Sequence, residues 1–246
     1  MTSLRCHVRK YKDFLDYCER LIGKPIYDFD KDPDKPFINA AQFKKIVSLL
    51  RTKKNIILEG APGVGKTFLA RKIAYQLIGE LKDENIEMVQ FHQSYSYEDF
   101  VQGIRPSEEG GFERKNGIFF DFCSKARRSP DQQFVFIIDE INRGNISKIL
   151  GELMMLIEAD KRKKQYAIKL TYSNEDDERF FVPENVYLIG CMNTADRSLA
   201  IVDYALRRRF RFISIKPEFN EAFISFLKEK GISQENAELV VSKVKA

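Results

Sequence analysis

The chain has 246 residues, of which 43% are hydrophobic and 31% charged, so it is long enough for one large α/β domain with a small appendage. Four scattered cysteines without a C-x-x-C pair, and only two histidines, argue against a zinc site or a disulfide framework and favour a reducing, cytoplasmic setting. The net charge of +5 does not by itself indicate nucleic-acid binding, and no apolar run reaches the ~20 residues of a membrane span, so we expect no membrane association.

The segment before the first motif is predicted to be mainly helical. Residues 4–22 carry apolar side chains at near-helical spacing and end at Gly23-Lys24-Pro25, which predicts a helix. The Asp-, Lys- and Pro-rich residues 28–36 predict a linker. A second helix is predicted over residues 39–51, with one apolar face.

The first motif lies between a predicted strand, residues 55–58, and a predicted helix that ends near Gly79. Residues 60–67 have the sequence Gly-Ala-Pro-Gly-Val-Gly-Lys-Thr and match the phosphate-loop spacing G-x-x-x-x-G-K-[ST]. Glycines allow backbone N–H groups to close around phosphate oxygens, and the helix N-terminus adds a positive dipole. Lys66 places a cation at the last two phosphates, and the Thr67 hydroxyl can ligate Mg²⁺.

A glycine-rich turn that binds nothing is the alternative explanation of this motif. Its place between a strand and a helix favours a nucleoside-triphosphate site instead. The residues predicted to bind the nucleotide are Gly60, Pro62, Gly63, Val64, Gly65, Lys66, Thr67 and Phe68.

The rest of the chain alternates strands and helices, which indicates a parallel sheet flanked by helices. Buried strands are predicted at residues 88–91, 134–138, 186–191 and 210–215, with 134–138 as a central strand, and helices at residues 122–128, 147–161 and 201–206. Two hairpins are predicted as well, at residues 111–120 around the turn signal Asn116-Gly117 and at residues 167–182 around an acidic turn. Two short helices are predicted after residue 217.

Two carboxylates directly follow the apolar strand at residues 134–138. Asp139 can hold the Mg²⁺ water shell opposite Thr67, as in phosphate-loop nucleotidases, and Glu140 can orient or deprotonate an attacking water. An apolar strand that ends in Asp-Glu is common by itself. Because this one follows a phosphate loop by about one βαβ crossover, it indicates a metal ligand and a catalytic base.

Polar residues also follow the strand at residues 186–191. Strand carboxyl ends line the ligand crevice of a parallel sheet, so Asn193 is placed to hydrogen-bond the terminal phosphate or the attacking water. A helix-capping turn is the alternative, with Asp196 or Ser198 as the cap. We favour the functional role for Asn193 and leave the role of Asp196 open.

Three consecutive arginines, Arg207, Arg208 and Arg209, lie at the end of a predicted helix. Any one of them can be explained as a solvated partner of the helix dipole. For the cluster, we favour an arginine finger that reaches the γ-phosphate bound by a neighbouring subunit.

Taken in order, these motifs resemble those of the AAA+ ATPase fold. Three stretches closely resemble the McrB family, the motor subunits of modification-dependent restriction systems: residues 89–100, residues 139–143 and residues 192–199. The resemblance runs from about residue 54 to residue 217 and implies a Mg²⁺-dependent GTPase that assembles as hexameric rings and is activated by an McrC-type subunit that carries the nuclease. It also implies that Asn193 is the phosphate sensor, that Arg208 or Arg209 is the finger, and that Arg143 lies near the phosphates or the subunit boundary.

The resemblance divides the chain into three parts: an N-terminal helix and linker (residues 1–38), an AAA+ nucleotide-binding domain (39–217) and a partial helical lid (218–246). Members of the McrB family carry an N-terminal domain that binds methylated DNA, and a longer lid. We therefore expect this chain to lack base recognition, to contact DNA through the complex or another domain, and to form rings only if the short lid suffices.

Three other functions stay open. The first is an ATP-dependent remodeller of the MoxR or dynein-related kind, which competition between ATP and GTP would distinguish. The second is a non-hydrolysing regulatory or assembly module, which the short lid favours. The third and weakest is direct DNA contact through residues 161–164, because a solvated basic turn also explains these residues and nucleic-acid footprints spread over a face.

Overall fold

The computed structural model describes residues 26–108, 110–195 and 204–245. The strands of the described residues are β1 (Asn55–Gly60), β2 (Ile86–Gln90), β3 (Gln102–Pro106), β4 (Phe112–Asn116), β5 (Phe134–Asp139), β6 (Val186–Asn193) and β7 (Arg211–Ser214). Five of them form a central parallel sheet with the order β2-β5-β6-β1-β7. The α-helices of the described residues are α1 (Ala40–Lys53), α2 (Lys66–Ile78), α3 (Tyr97–Phe100), α4 (Ile118–Arg128), α5 (Ile146–Leu150), α6 (Leu153–Leu156), α7 (Tyr204–Arg209), α8 (Glu221–Glu229) and α9 (Gln234–Lys245).

Strand β5 shows why the sheet is covered on both faces. Phe134, Phe136 and Ile138 pack into a hydrophobic core on one side of the sheet, and Val135 and Ile137 pack into the core on the other side. Successive side chains of a strand point to opposite faces, so a continuously apolar run is stable only between two layers. The predicted α/β fold and the predicted central strand are confirmed.

Helix α1 begins at a side-chain cap and buries one face against the sheet. The Asn39 side chain accepts a hydrogen bond from the Gln42 amide at 2.7 Å, which satisfies one of the open donors of the first turn. The residues before the helix do not behave as the predicted linker, because Phe29 is buried and stacks on Phe43 with a centroid distance of 4.0 Å. The predicted helix at residues 4–22 lies outside the described residues.

The first predicted hairpin exists, but its turn lies elsewhere. β3 pairs with β4 in antiparallel register, with Pro106 opposite Phe112, so the two strands are connected between these two residues. The predicted turn residue Gly117 instead begins α4 as its N-terminal cap. A Cβ at Gly117 would lie 2.4 Å from the backbone carbon of Phe100, so this glycine is required for close packing.

Three further predictions need correction. β2 is a partly exposed edge strand, because only β5 pairs with it. The helix predicted over residues 147–161 is broken at Gly151, where φ is 49° and ψ is −128°, into α5, α6 and a 3-10 turn. The hairpin predicted over residues 167–182 is reduced to one antiparallel bridge between Ile168 and Phe180.

The C-terminal predictions agree with the described structure. β7 pairs with β1, and α8 and α9 follow it as two short helices. Of the helix predicted at residues 201–206, the described part belongs to α7. None of the helices in the described ranges is long and apolar enough to cross a membrane.

Candidate functional site

The predicted site residues meet at the carboxyl edge of the parallel sheet. Gly60, the last residue of β1, lies opposite Asn193 of β6, and Asp139 ends the adjacent strand β5. Parallel strands place all their carboxyl ends at one edge, where ligands of open α/β sheets bind. The register therefore brings three motifs together that are up to 133 residues apart in the chain, from Gly60 to Asn193.

The phosphate loop connects β1 to α2 in a conformation that needs glycine. Gly63 has φ 81° and Gly65 has φ 79°, in the left-handed region that side-chain-bearing residues rarely adopt. The N-cap residue of α2 is Gly65, which makes no side-chain hydrogen bond to the first turn. The N–H groups of that turn therefore receive no side-chain acceptor from the cap. This is the arrangement in which a helix N-terminus binds phosphate.

Gly60 is required for a different reason, the close approach of Ile215, the residue directly after β7. A Cβ at this position would lie 2.4 Å from the carbonyl oxygen of Ile215, whose amide in turn donates to the Glu59 carbonyl at 2.7 Å. The phosphate loop thus starts where the strand is held on both sides, by β6 and by β7.

We expect Gly60→Ala to lower the free energy of unfolding by about 1–3 kcal/mol, because the added methyl must push β7 away from β1. Nucleotide affinity should fall with it, because the loop starts at this residue. Chemical denaturation and equilibrium nucleotide binding measure the two effects. The control is Gly111→Ala, where φ is 87° and no atom lies within 4 Å of the added carbon; it should leave nucleotide binding unchanged. Equal binding losses in both variants would contradict this role of Gly60.

Lys66 is buried and held by three acceptors. Its ammonium donates to the carbonyl oxygens of Gly60 at 3.1 Å and Ala61 at 2.8 Å, and to Oδ1 of Asn193 at 2.6 Å. Burial lowers its pKa below the usual value, and nearby acidic groups act in the opposite direction. The lysine is a cation at the mouth of the loop, next to the residue predicted as phosphate sensor.

The predicted metal ligands are adjacent. Oγ1 of Thr67 donates to Oδ1 of Asp139 at 3.2 Å. Mg²⁺ in nucleotide sites takes one or two protein oxygens and completes its octahedron with phosphate oxygens and waters. The Thr67 hydroxyl and the Asp139 carboxylate are two such protein oxygens, so the pair fits Mg²⁺ bound together with a nucleotide.

Glu140 is fixed by two partners and an unusual backbone. It has φ 50° and ψ 42°, a left-handed conformation that is rare for a residue with a side chain and is often associated with functional sites. Its carboxylate accepts from the amide of Asn193 and, at 3.2 Å, from Nε of Arg143. Since Asn193 also accepts from Lys66, its side chain bridges the phosphate-loop cation and the predicted base.

Asn142 was missed by the sequence analysis, although it lies between two predicted residues. Its Nδ2 contacts the carbonyl oxygen of Asn193 at 3.5 Å, and its buried Oδ1 has no protein partner in the described part of the chain. A buried polar oxygen without a partner is costly, which favours a water or ligand donor at this point. Its place in the run from Asp139 to Arg143, two residues after Glu140, was the only signal in the sequence.

The two finger candidates differ in their surroundings. Nε of Arg209 donates to the Met154 carbonyl at 2.5 Å, and its guanidinium pairs with Glu158 at 2.8 Å, so only 15% of its side chain is exposed. The Arg208 side chain is 66% exposed and lies 3.9 Å from the same glutamate. The described contacts of Arg209 are therefore within its own chain, and Arg208 faces outward.

The predicted residue Asp196 lies outside the described residues.

A cavity of about 650 Å³, which the sequence analysis did not predict, adjoins the phosphate loop. One wall is the segment before α1, and another wall is α8. Phe37 of the first wall packs edge-on against Phe223 and Phe226 of α8, with ring-centroid distances of 5.6 and 5.5 Å. The floor contains Val64 and the partly exposed Phe68. Its volume and aromatic walls suit a nucleoside whose phosphates lie in the loop.

The comparisons with known proteins agree with this geometry. The family model described as AAA domain (dynein-related subfamily) matches residues 55–210. The chain is 60% identical over 195 residues to the EcoKMcrB subunit of the type IV methyl-directed restriction enzyme of Escherichia coli strain K12, covering 79% of the chain and 42% of that relative. It is 27% identical over 204 residues to component YdiS of the type II restriction enzyme BsuMI of Bacillus subtilis strain 168, covering 67% of the chain and 58% of that relative. The chain spans about half the length of these two relatives.

Proposed function

The chain belongs to the AAA domain family, dynein-related subfamily, and from this premise we propose that it is a Mg²⁺-dependent nucleoside triphosphatase, with GTP favoured, that acts as the motor subunit of a modification-dependent DNA restriction complex. The observation that carries the hydrolytic part is the contact chain from Lys66 through Asn193 to Glu140, beside the pair Thr67 and Asp139. The restriction part is supported by the similarity to the Escherichia coli subunit.

The residues of the site have separate roles in this hydrolysis. Lys66 and the backbone amides of the phosphate loop stabilise the charge that develops on the phosphate oxygens. Thr67 and Asp139 would hold Mg²⁺, which supplies Lewis-acid polarisation of those oxygens when it is bound. Glu140 orients the attacking water and accepts its proton. Asn193 holds the Glu140 carboxylate in place and contacts Lys66.

A neighbouring subunit completes the site in this proposal. Arg208 is the arginine that enters the site of the next subunit, because Arg209 is engaged by Met154 and Glu158 of its own chain. Arg209 then has a positioning role, since its two contacts fix the end of α7. Arg143 holds Glu140 through the 3.2 Å contact to its carboxylate.

The base lies in the cavity between the segment before α1 and α8 in this proposal. Its polar walls include Asp34, Gln42 and Glu218. A carboxylate or an amide oxygen can accept the two N–H groups of guanine, so the composition of the wall is compatible with GTP. The preference over ATP rests on the similarity to the McrB family.

The partners follow from the same similarity. We propose that the chain works in a ring with other copies and that an McrC-type subunit carries the nuclease and activates hydrolysis. The relatives are described as a subunit and a component of restriction enzymes, which supports a multi-subunit complex.

The test is steady-state phosphate release with GTP and with ATP, with and without an McrC-type partner. We expect GTP turnover that appears with the partner and requires Mg²⁺. ATP turnover without a partner would contradict the restriction-motor proposal and favour a remodeller of the same subfamily. Tight nucleotide binding without turnover under any condition would instead indicate a regulatory module.

A further inference from the structure

A second pocket lies at the opposite edge of the sheet from the phosphate loop. Its walls include Lys54 directly before β1, Gln133 directly before β5, and Asn185 directly before β6. It has a volume of about 570 Å³. Five cationic side chains and one carboxylate line it: Lys54, Arg127, Arg162, Lys163, Lys164 and Glu184.

Arg162 is a buried cation without a counter-charge. Only 1% of it is exposed, and its guanidinium donates to three neutral acceptors, the carbonyl oxygens of Ile157 and Val186 and the side chain of Asn55. Burial lowers its pKa to about 10, so it stays protonated at neutral pH. No carboxylate of the described ranges pairs with it. A buried charge that has only neutral hydrogen-bond partners is costly, and an anion in the pocket would offset that cost.

The rim adds cations from separate segments. Lys54 donates to the carbonyl oxygen of Glu184 at 2.8 Å and to the hydroxyl of Tyr187 at 3.0 Å, neither of which neutralises its charge. The guanidinium of Arg127 lies 5.3 Å from the centre of the Phe181 ring. Lys163 is 56% exposed and only 4.0 Å from the Glu184 carboxylate, the one acidic group of the pocket.

The basic run at residues 161–164 is therefore not a uniformly solvated turn. Lys161 pairs with Asp160 at 3.2 Å, and Arg162 is buried beneath the pocket. Lys163 and Lys164 extend a basic surface to which Lys54, directly before β1, and Arg127 of α4 also belong. The footprint spreads over one face of the domain, which is the feature that distinguishes an anion-binding surface from an isolated charge run.

We propose that this pocket binds backbone phosphates of DNA, with Lys163 and Lys164 as direct contacts and Arg127, Lys54 and the buried Arg162 as the positive floor. The DNA part of this inference rests on the proposed function, since a restriction motor acts on DNA. Lysines on a rim act as flexible point charges, which suits the sequence-independent binding of a phosphate backbone.

The position of the pocket allows both ligands to be bound together. β1 has six residues, which span about 20 Å, so the pocket and the phosphate loop lie at opposite ends of the same strand. DNA in the pocket does not compete with nucleotide. The walls of the pocket include Lys54 and Asn185, which directly precede β1 and β6, the two strands that end at the phosphate loop and at Asn193.

The experiment is fluorescence anisotropy of a labelled, unmethylated DNA duplex titrated with the full chain at several salt concentrations. We expect non-specific affinity of roughly 10⁻⁴–10⁻⁶ M at physiological salt. The double variant Lys163→Ala/Lys164→Ala should bind more weakly, and its slope of log affinity against log salt should be shallower by about 1–2. Glu184→Gln should act in the opposite direction and bind several-fold more tightly, because it removes the only carboxylate of the pocket.

The matched control is Lys44→Ala/Lys45→Ala, an exposed lysine pair on α1 that removes the same charge and does not line the pocket. Equal losses in the two double variants, or an unchanged Glu184→Gln, would overturn the assignment. Pocket-dependent binding of polyglutamate without binding of DNA would assign the pocket to an acidic protein segment and refute the DNA proposal. Phosphate release by the same proteins is measured separately. Loss of turnover with intact DNA binding would then contradict the proposed function alone.

Discussion

Glu140→Gln should bind nucleotide as the unchanged chain does and hydrolyse it more slowly by a factor of about 10²–10⁴. Glutamine has nearly the same size and keeps one carbonyl oxygen, so the contacts with Asn193 and Arg143 can be retained in part. It cannot accept a proton from the attacking water. Phosphate release in the presence of the activating partner measures the loss, and equilibrium binding of a fluorescent nucleotide shows that the site is intact.

The control for this variant is Glu87→Gln, the same chemical change on the edge strand β2. It should leave both binding and turnover unchanged. Unchanged turnover in Glu140→Gln would remove this residue from the mechanism. Loss of nucleotide binding together with turnover would mean that the left-handed backbone at Glu140, with φ 50°, depends on the carboxylate for the shape of the site.

The meeting of the proposed site residues at one edge of the sheet was predictable from the sequence, because strand ends fix their positions. Gly60, Asp139 and Asn193 each end a strand, and parallel pairing then has to bring those ends to one edge. The left-handed glycines of the loop follow from the motif in the same way. Local sequence was sufficient here because the spacing of the motif and the register of the strands impose the same geometry.

The errors arose where a local signal had a different tertiary cause. Asn116-Gly117 has the composition of a hairpin turn, but Gly117 is there because α4 begins against the backbone of Phe100. Residues 147–161 have helical periodicity, and Gly151 breaks the helix where a Cβ would lie 3.1 Å from the Tyr97 ring. Such contacts join segments that are far apart in the chain, and periodicity does not contain that information.

A helix that ends at the three arginines was predicted, but the hydrogen bond that joins the end of α7 to β1 was not. The side chain of Asn55 donates to the carbonyl oxygens of Ile157 at 2.8 Å and Arg209 at 3.0 Å, and accepts from Arg162. The first residue of the phosphate-loop strand thus holds the last residue of α7. This buried network connects the start of β1 to the end of α7, next to Arg208. In the proposed mechanism, a residue that acts on another subunit has to be held rigidly, and this network would hold it.

Arg208→Ala should reduce turnover in the proposed ring by about 10³–10⁵ without changing the nucleotide affinity of the chain itself. The reason is its 66% exposed side chain, which lies next to the fixed Arg209 and is available to a neighbouring subunit. Arg209→Ala should act differently. It leaves Glu158 with only the longer contact to Arg208 and removes the donor to Met154, so its main effect should be lower thermal stability.

Mixing the two inactive variants tests whether Arg208 acts between subunits. A ring that contains Arg208→Ala and Glu140→Gln chains has interfaces at which an intact Glu140 faces an intact Arg208 of the neighbour. Turnover should therefore reappear in the mixture, although each variant alone is inactive. No recovery, with ring assembly verified by mass, would place Arg208 outside the shared site. Arg209→Ala chains that remain folded could also lose turnover and regain it when they are mixed with Glu140→Gln chains. That result would assign the finger to Arg209, because a neighbouring subunit cannot restore a role that is confined to one chain.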